Sequence, residues 1–122
     1  MTNKKIRLVN MTSHDQKNYL QQFEEAGFEI ITKPLGFNVQ TDMTFQGVKE
    51  KVAEQLKVVE AEGVNFDDAE LGFLLGGLTS STIAAYQVAE VNGWDCYEVV
   101  TEREQDEQGK FVFNFKGVRK LG

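Results

Sequence analysis

The sequence predicts a single α/β domain in which a mostly parallel β-sheet is flanked by helices and carries a C-terminal β-hairpin at one edge. Three observations predict this fold. Three strand-like segments are each followed by a helical pattern, and two further strand-like segments close the chain around a polar turn. The run Leu71–Leu75 is apolar on both faces, as in a central parallel strand. Because 122 residues suit one domain, we assign residues 1–122 to a single unit.

The first half of the chain alternates between strand and helix. Ile6–Val9 is strand-like and runs into the polar segment 10–14. Apolar residues at helical spacing predict a helix from Asp15 that stops at Gly27. Residues 28–32 predict a second strand, after which Pro34 and Gly36 interrupt regular structure.

The second half contains the longest helical pattern and the closing hairpin. An apolar face from Phe45 to Val59 predicts a helix that ends near Gly63. After the apolar strand 71–75 and the glycine pair that follows it, another helix is predicted to end at 92–93. The predicted hairpin strands are Cys96–Thr101 and Phe111–Phe115, joined by a polar segment with a glycine at 109.

Composition narrows the possible functions and locations. With 13 Lys and Arg against 19 Asp and Glu, the net charge of -6 disfavours binding to long nucleic acids. The single cysteine, Cys96, excludes an intramolecular disulfide, and no His/Cys spacing indicates a metal, so no cofactor is predicted. Neither a secretory signal nor a sufficiently long apolar stretch is present, which predicts a cytoplasmic protein without membrane contact.

Two loops qualify as a ligand site, because ligands of open α/β sheets bind beyond the carboxyl ends of the strands. The first, Asn10–Gln16, contains His14, the only histidine of the chain. The second, Gly76–Thr82, combines two glycines and four hydroxyl side chains at a predicted helix N-terminus, a place that favours anions. Two plainer interpretations stay open: Thr79 only caps the helix, and His14 is a surface residue without a role.

The predicted hairpin is asymmetric in charge. Residues 95–108 hold six acids and Arg103, whereas residues 110–122 hold four cations and no acid. The cations either form a basic strip for phosphate or pair with acids across the strands, including Glu102, Glu104 and Glu107. The alternating phenylalanines of residues 111–115 favour one buried face over a platform for stacking bases.

Several of these segments together resemble a known family. They are Asn-x-Thr-Ser-His followed by Gln, an apolar strand ending in Gly-Gly, Tyr97-x-x-x-Thr101-x-Arg103-Glu104, a turn at Gly109, and Phe115-Lys116-x-Val118-Arg119. In this order they are similar to the small stand-alone CRISPR-associated ring nucleases, which are themselves similar to CARF domains, the CRISPR-associated Rossmann folds that bind cyclic oligoadenylates. The resemblance therefore implies a Rossmann-like, CARF-like domain.

The resemblance also implies site residues. The predicted catalytic residues are His14, Arg103 and Lys116, which are carried over from the resemblance. The predicted ligand-binding residues are Asn10, Ser13, Gln16, Gly76, Gly77, Thr79, Ser80, Thr101 and Arg119, of which Asn10 and Ser80 are added from the two loops themselves. Gly117 stands where the family tends to carry histidine, so the resemblance implies binding more directly than cleavage.

The function that follows is binding of a cyclic oligoadenylate in type III CRISPR antiviral signalling, by a homodimer that matches a two-fold symmetric ring. Slow cleavage needs no metal if the ribose 2′-hydroxyl attacks its own phosphate while cations stabilise the charge. Histidine ordinarily titrates near neutrality, so His14 is the candidate general acid or base. The alternative is a non-catalytic α/β module that sequesters the messenger or binds a protein through its acidic surface.

Overall fold

The computed structural model describes residues 5–35, 37, 39–77 and 79–121. The described residues form five strands and three helices. The strands are β1 (Ile6–Asn10), β2 (Phe28–Ile30), β3 (Leu71–Leu75), β4 (Asp95–Gln105) and β5 (Phe111–Leu121). The helices are α1 (Leu20–Glu25), preceded by a 3-10 turn at Lys17–Tyr19, α2 (Phe45–Ala61) and α3 (Thr79–Val91). None of the helices in this described part of the chain is long and apolar enough to cross a membrane.

The strands form one mixed sheet in the order β2-β1-β3-β4-β5. The first four strands are parallel, and β5 runs antiparallel to β4 at the edge. All five residues of β3 are buried, because helices cover both faces of this central strand. The predicted α/β fold with a mostly parallel sheet and an edge hairpin is confirmed at this level.

Helices cover the two faces of the sheet unequally. On one face α2 and α3 bury the larger cluster, in which Val52 and Ala84 pack with Phe73 of β3. On the other face the short α1 contributes Phe23, which is fully buried beside Leu8, Leu74 and Tyr97. The smaller cluster therefore depends on one aromatic side chain of a six-residue helix.

The long helix α2 forms as its sequence pattern predicts. The Thr44 hydroxyl accepts a hydrogen bond from the Gly47 backbone N–H at 3.0 Å and caps the N-terminus. Its apolar face is buried in the larger cluster, and the helix ends just before Gly63, whose φ of 104° suits glycine. The buried residues of this face are Val48, Val52, Leu56 and Val59.

The first helix begins later than predicted. Gln16 has a left-handed backbone with φ of 61°, so a continuous helix cannot run from Asp15. The chain instead makes a 3-10 turn at Lys17–Tyr19 before α1 begins at Leu20. Residues 11–16 consequently remain a loop at the carboxyl end of β1.

The closing hairpin is longer than predicted, with 11 residues in each strand. Leu75, the last residue of β3, pairs with Glu98, so residues 99–105 of β4 extend past the sheet by about 23 Å at strand spacing. Asp106 closes the turn, because its carboxylate accepts from the backbone N–H groups of Gln108 and Lys110. We call residues 101–115, which project beyond the sheet, the arm.

The prediction that the alternating phenylalanines form one buried face is wrong for two of them. Phe115 packs on α1, with its ring centroid 5.3 Å from that of Phe23 and 5.5 Å from that of Tyr19. Phe111 and Phe113 lie farther along the arm, past the end of α1, and are 54% and 62% exposed. The alternation correctly predicts a strand, but α1 is too short to cover all of its apolar face.

Candidate functional site

The strand order reverses between β1 and β3. From β1 the chain moves outward to β2, and it then returns to place β3 on the other side of β1. The carboxyl ends of β1 and β3 are therefore neighbours, and the Met11 N–H donates to the Leu74 carbonyl at 2.9 Å. Such a reversal opens a crevice in which α/β proteins bind ligands. Both loops selected from the sequence begin at this crevice.

The two loops touch each other. A methyl group placed on Gly77, whose φ is 100°, would lie 3.4 Å from the Ser13 hydroxyl oxygen. A methyl group placed on Gly76 would lie 3.4 Å from the Thr12 methyl carbon. The two glycines therefore allow the second loop to approach the first closely, and they also allow the turn itself.

A buried side-chain network holds the first loop in shape. The Asn10 side-chain oxygen accepts from the Thr12 backbone N–H at 3.0 Å and from the Thr12 hydroxyl at 2.6 Å. The Asn10 amide nitrogen donates to the His14 carbonyl at 2.7 Å. The Thr12 hydroxyl oxygen accepts in turn from the His14 N–H and the Gln16 side-chain amide, both at 3.2 Å. Asn10 is 1% exposed, so it positions the loop and does not contact a ligand directly. Neighbouring residues of the loop are the ones that can make direct contact.

The outer side of this loop lines a cavity of about 550 Å³, within the usual size range of small-molecule sites. Three of the ligand or catalytic candidates, Ser13, His14 and Gln16, are among its lining residues. The full lining is Ser13, His14, Asp15, Gln16, Lys17, Asn18, Tyr19 and Pro34.

Lys17 is the cation of this cavity, and sequence reasoning missed it. Its ammonium has no ion pair in the part of the chain that the structure describes, and its backbone N–H donates to the Asp15 carboxylate at 3.1 Å. The signal in the sequence was its place directly after Gln16, at the end of the loop. Tyr19, which also lines the cavity, connects it to the arm through Phe115.

The second loop lines a separate cavity of about 250 Å³ at the start of α3. Three candidates, Gly76, Gly77 and Thr79, belong to this lining, together with Thr82 and Glu98. The buried Thr82 hydroxyl oxygen has no hydrogen-bond partner within the described residues. Ser80 lies half-buried in the first turn of α3. The site candidates of the two loops thus line two cavities, with Ser13 in the first lining and Gly77 in the second.

Acids of the hairpin already pair with two of its candidate cations. The Lys116 ammonium lies 3.2 Å from the Glu104 carboxylate and 3.8 Å from that of Glu102. The Arg119 guanidinium lies 3.3 Å from the carboxylate of Glu98, the residue that lines the second cavity. These ion pairs match the charge-balancing interpretation.

The arm holds the remaining two candidates. The Arg103 guanidinium stacks on the Phe111 ring with its carbon 3.6 Å from the ring centroid. Thr101 is exposed on the face of Phe115, its partner across the hairpin. In the described structure no hydrogen bond or ion pair connects Arg103 or Lys116 to either loop. The implied catalytic set of His14, Arg103 and Lys116 is therefore not joined by direct contacts.

The residues of the candidate site are better suited to binding a ligand than to nucleophilic attack on it. The exposed His14 side chain has no hydrogen-bond partner within the described residues to orient it, although both backbone groups of His14 are held by the loop network. Burial, with a smaller effect of Asp95, raises the pKa of the Cys96 thiol to about 11, so it is not a thiolate at neutral pH. Within the described ranges no three His, Cys, Asp or Glu residues cluster as metal ligands.

We expect replacement of both Lys116 and Arg119 by Ala to change the free energy of unfolding by less than about 1 kcal/mol, because their ion pairs are exposed. If these ion pairs only balance charge, the affinity for a phosphate-containing ligand should change little as well. Denaturant titration and binding titrations at two salt concentrations measure both quantities. A marked loss of affinity with a shallower salt dependence would instead assign these cations to phosphate, as the family resemblance implies.

The sequence was also compared with known proteins. It matches no family model, and no curated protein is significantly similar to it.

Proposed function

We propose that this protein binds a cyclic oligoadenylate, as a Rossmann-like, CARF-like domain, in the crevice at the carboxyl ends of β1 and β3. The observation that carries the proposal is the strand-order reversal, together with the close approach of the Gly77 backbone to Ser13 at that point. The two loops thus lie where ligands of this fold architecture bind.

The chemistry of the two cavities suits a ligand with several phosphates and ribose hydroxyls. Lys17 supplies positive charge to the larger cavity, and the Ser13 hydroxyl is exposed there. The N-terminus of α3 offers backbone N–H groups and a positive helix end beside Gly76 and Gly77.

Cleavage, in this proposal, is slow and independent of metal. The 2′-hydroxyl of the ligand attacks the adjacent phosphate, the 5′-oxygen leaves, and a 2′,3′-cyclic phosphate forms. The protein contributes positioning through the loop network and charge stabilisation through Lys17. The His14 imidazole has no partner among the described residues to orient it, so it contributes little to cleavage. The same observation favours a second candidate function, in which the protein sequesters the messenger without cleaving it. Cytoplasmic location and a role in type III CRISPR signalling belong to the same proposal.

The test is a thermal-shift panel with cyclic tetra- and hexa-adenylate and their linear counterparts. A ligand that binds only the folded state at 100 times its Kd stabilises it by about 2.7 kcal/mol, which raises Tm by roughly 10 °C for a domain of this size. No shift with any cyclic oligoadenylate overturns the proposal. A parallel incubation of the protein and ligand in EDTA measures metal-independent cleavage. If the ligand stays intact, the protein sequesters it and does not cleave it.

Lys17→Ala locates the binding site. Loss of one charge-assisted contact of about 1.5–3 kcal/mol should weaken affinity by roughly 10- to 100-fold. Lys57→Ala is the matched control, because Lys57 is an exposed lysine of α2 that does not line the first loop's cavity. Equal effects of the two substitutions would mean that binding depends on general charge and not on this cavity.

A further inference from the structure

The outer edge of β5 is an unpaired strand edge. β5 ends the sheet order, and no other described strand pairs with its outer side over its 11 residues. The opposite edge of the sheet, β2, has only three residues. An edge strand presents a row of backbone groups on which another strand can pair, so β5 is the larger such surface.

The ladder between β4 and β5 shows which backbone groups point outward. The Asp106 N–H donates to the Lys110 carbonyl at 2.8 Å, which makes this pair the hydrogen-bonded kind. Hydrogen-bonded and non-hydrogen-bonded pairs alternate along an antiparallel ladder. With the observed register, Phe111, Phe113 and Phe115 therefore direct their own N–H and C=O groups away from β4.

The two halves of this edge differ in protection against pairing. The half nearer the sheet contains a β-bulge at the Val100/Thr101 step and the cations Lys116, Arg119 and Lys120. Bulges and charged side chains both hinder the pairing of an edge strand with another strand. Residues 111–115, Phe-Val-Phe-Asn-Phe, carry no charge, and two of their rings are more than half exposed. Pairing is thus open along the arm and blocked at its base.

The unblocked segment has phenylalanine at its centre and at both ends, with Val112 and Asn114 between them. Antiparallel pairing of two identical segments around Phe113 sets Phe111 opposite Phe115 and Val112 opposite Asn114. A two-fold interface requires this kind of self-complementarity, since the same patch serves both partners. The same orientation brings the acidic turn of one arm, with Asp106 and Glu107, beside the basic base of the other β5.

We infer that residues 111–115 are the dimerisation edge of this protein, where β5 pairs antiparallel with β5 of a second copy across a two-fold axis at Phe113. The arm as a whole is acidic, with Glu102, Glu104, Asp106 and Glu107 against two cations, so a phosphate-rich occupant is disfavoured. The inference concerns how two copies associate, and it holds whether or not the proposed ligand binds.

The experiment compares ligand-free proteins by light scattering over a concentration series. Wild type should approach twice the chain mass of 13.8 kDa. Phe113→Pro removes the outward N–H and the ring while leaving the ladder to β4 intact, as proline at a strand edge can. Phe113→Lys keeps the backbone and adds an edge charge. Both variants should be monomeric, with circular dichroism showing that they remain folded.

Val58→Lys is the control, because it replaces a half-exposed valine of α2 and should stay dimeric. Hydrogen exchange gives a second readout, since the Phe113 amide should become protected as the concentration of wild type rises. A monomeric wild type overturns the inference. So does a dimer that persists in both Phe113 variants, because the contact would then lie elsewhere.

Discussion

Phe23→Ala is expected to lower the free energy of unfolding by about 3–5 kcal/mol, the usual cost of removing a fully buried phenyl ring. Phe23 is the buried residue of α1, and its ring meets the edge of the Phe115 ring at a centroid distance of 5.3 Å. The substitution therefore opens a cavity in the smaller cluster and removes a ring contact that holds the base of the arm. Against a typical domain stability of about 5–15 kcal/mol, this is a large fraction.

Denaturant unfolding measures this loss, and hydrogen exchange locates it. Amides of the arm nearest Phe115 should exchange faster in Phe23→Ala than in wild type. Leu20→Ala, in the same helix at a half-exposed position, should cost less than about 1 kcal/mol. Similar costs for the two substitutions would show that α1 does not anchor the arm.

Asn10→Ala is expected to lower the free energy of unfolding by about 1–3 kcal/mol, because it leaves the buried Thr12 backbone N–H without its acceptor. The Thr12 hydroxyl and the His14 carbonyl each lose one partner but stay 3.0 Å from each other. Since they set the path of the first loop, we also expect affinity for cyclic oligoadenylate to fall more than about 10-fold, although Asn10 itself is buried.

Asn18→Ala is the matched control for Asn10→Ala. Asn18 lines the same cavity but is exposed, and its stability effect should stay within about 0.5 kcal/mol. Thermal unfolding and titration on both variants separate the two effects. If Asn10→Ala kept wild-type stability, the loop would not depend on the buried network.

The elements that pack on the core could be predicted from the sequence, and the surface geometry could not. The apolar face of α2 and the doubly buried β3 are encoded by periodicity and by an uninterrupted apolar run, so their positions matched. The sequence did not predict the arm, because residues 102–105 are polar. A polar segment is typical of a turn, but it is equally compatible with a strand that is exposed on both faces. The exposure of Phe111 and Phe113 depends on the length of α1, which alternation in β5 does not encode.

The two candidate loops could be selected from the sequence, but the residues that line the cavity beside the first loop could be predicted only in part. The loops were found from glycines, hydroxyls and the lone histidine, and the strand order put them side by side. The late start of α1 results from the left-handed Gln16 and the hydrogen bonds of Thr12, which no sequence period reports. As a consequence Lys17 lies in the cavity lining, whereas the cations singled out from the sequence pair with acids on the hairpin.

A titration of ¹⁵N-labelled protein with cyclic hexa-adenylate, followed by amide chemical shifts, tests most directly whether the ligand binds between β1 and β3. We expect the largest changes on Ser13, His14 and Lys17 of the first loop and on Gly76 and Gly77 of the second. Amides of the arm tip around Gly109 should change little. Shifts that avoid both loops and gather on the arm or on α2, or no shifts at all, would contradict the assignment of the crevice between β1 and β3 as the binding site.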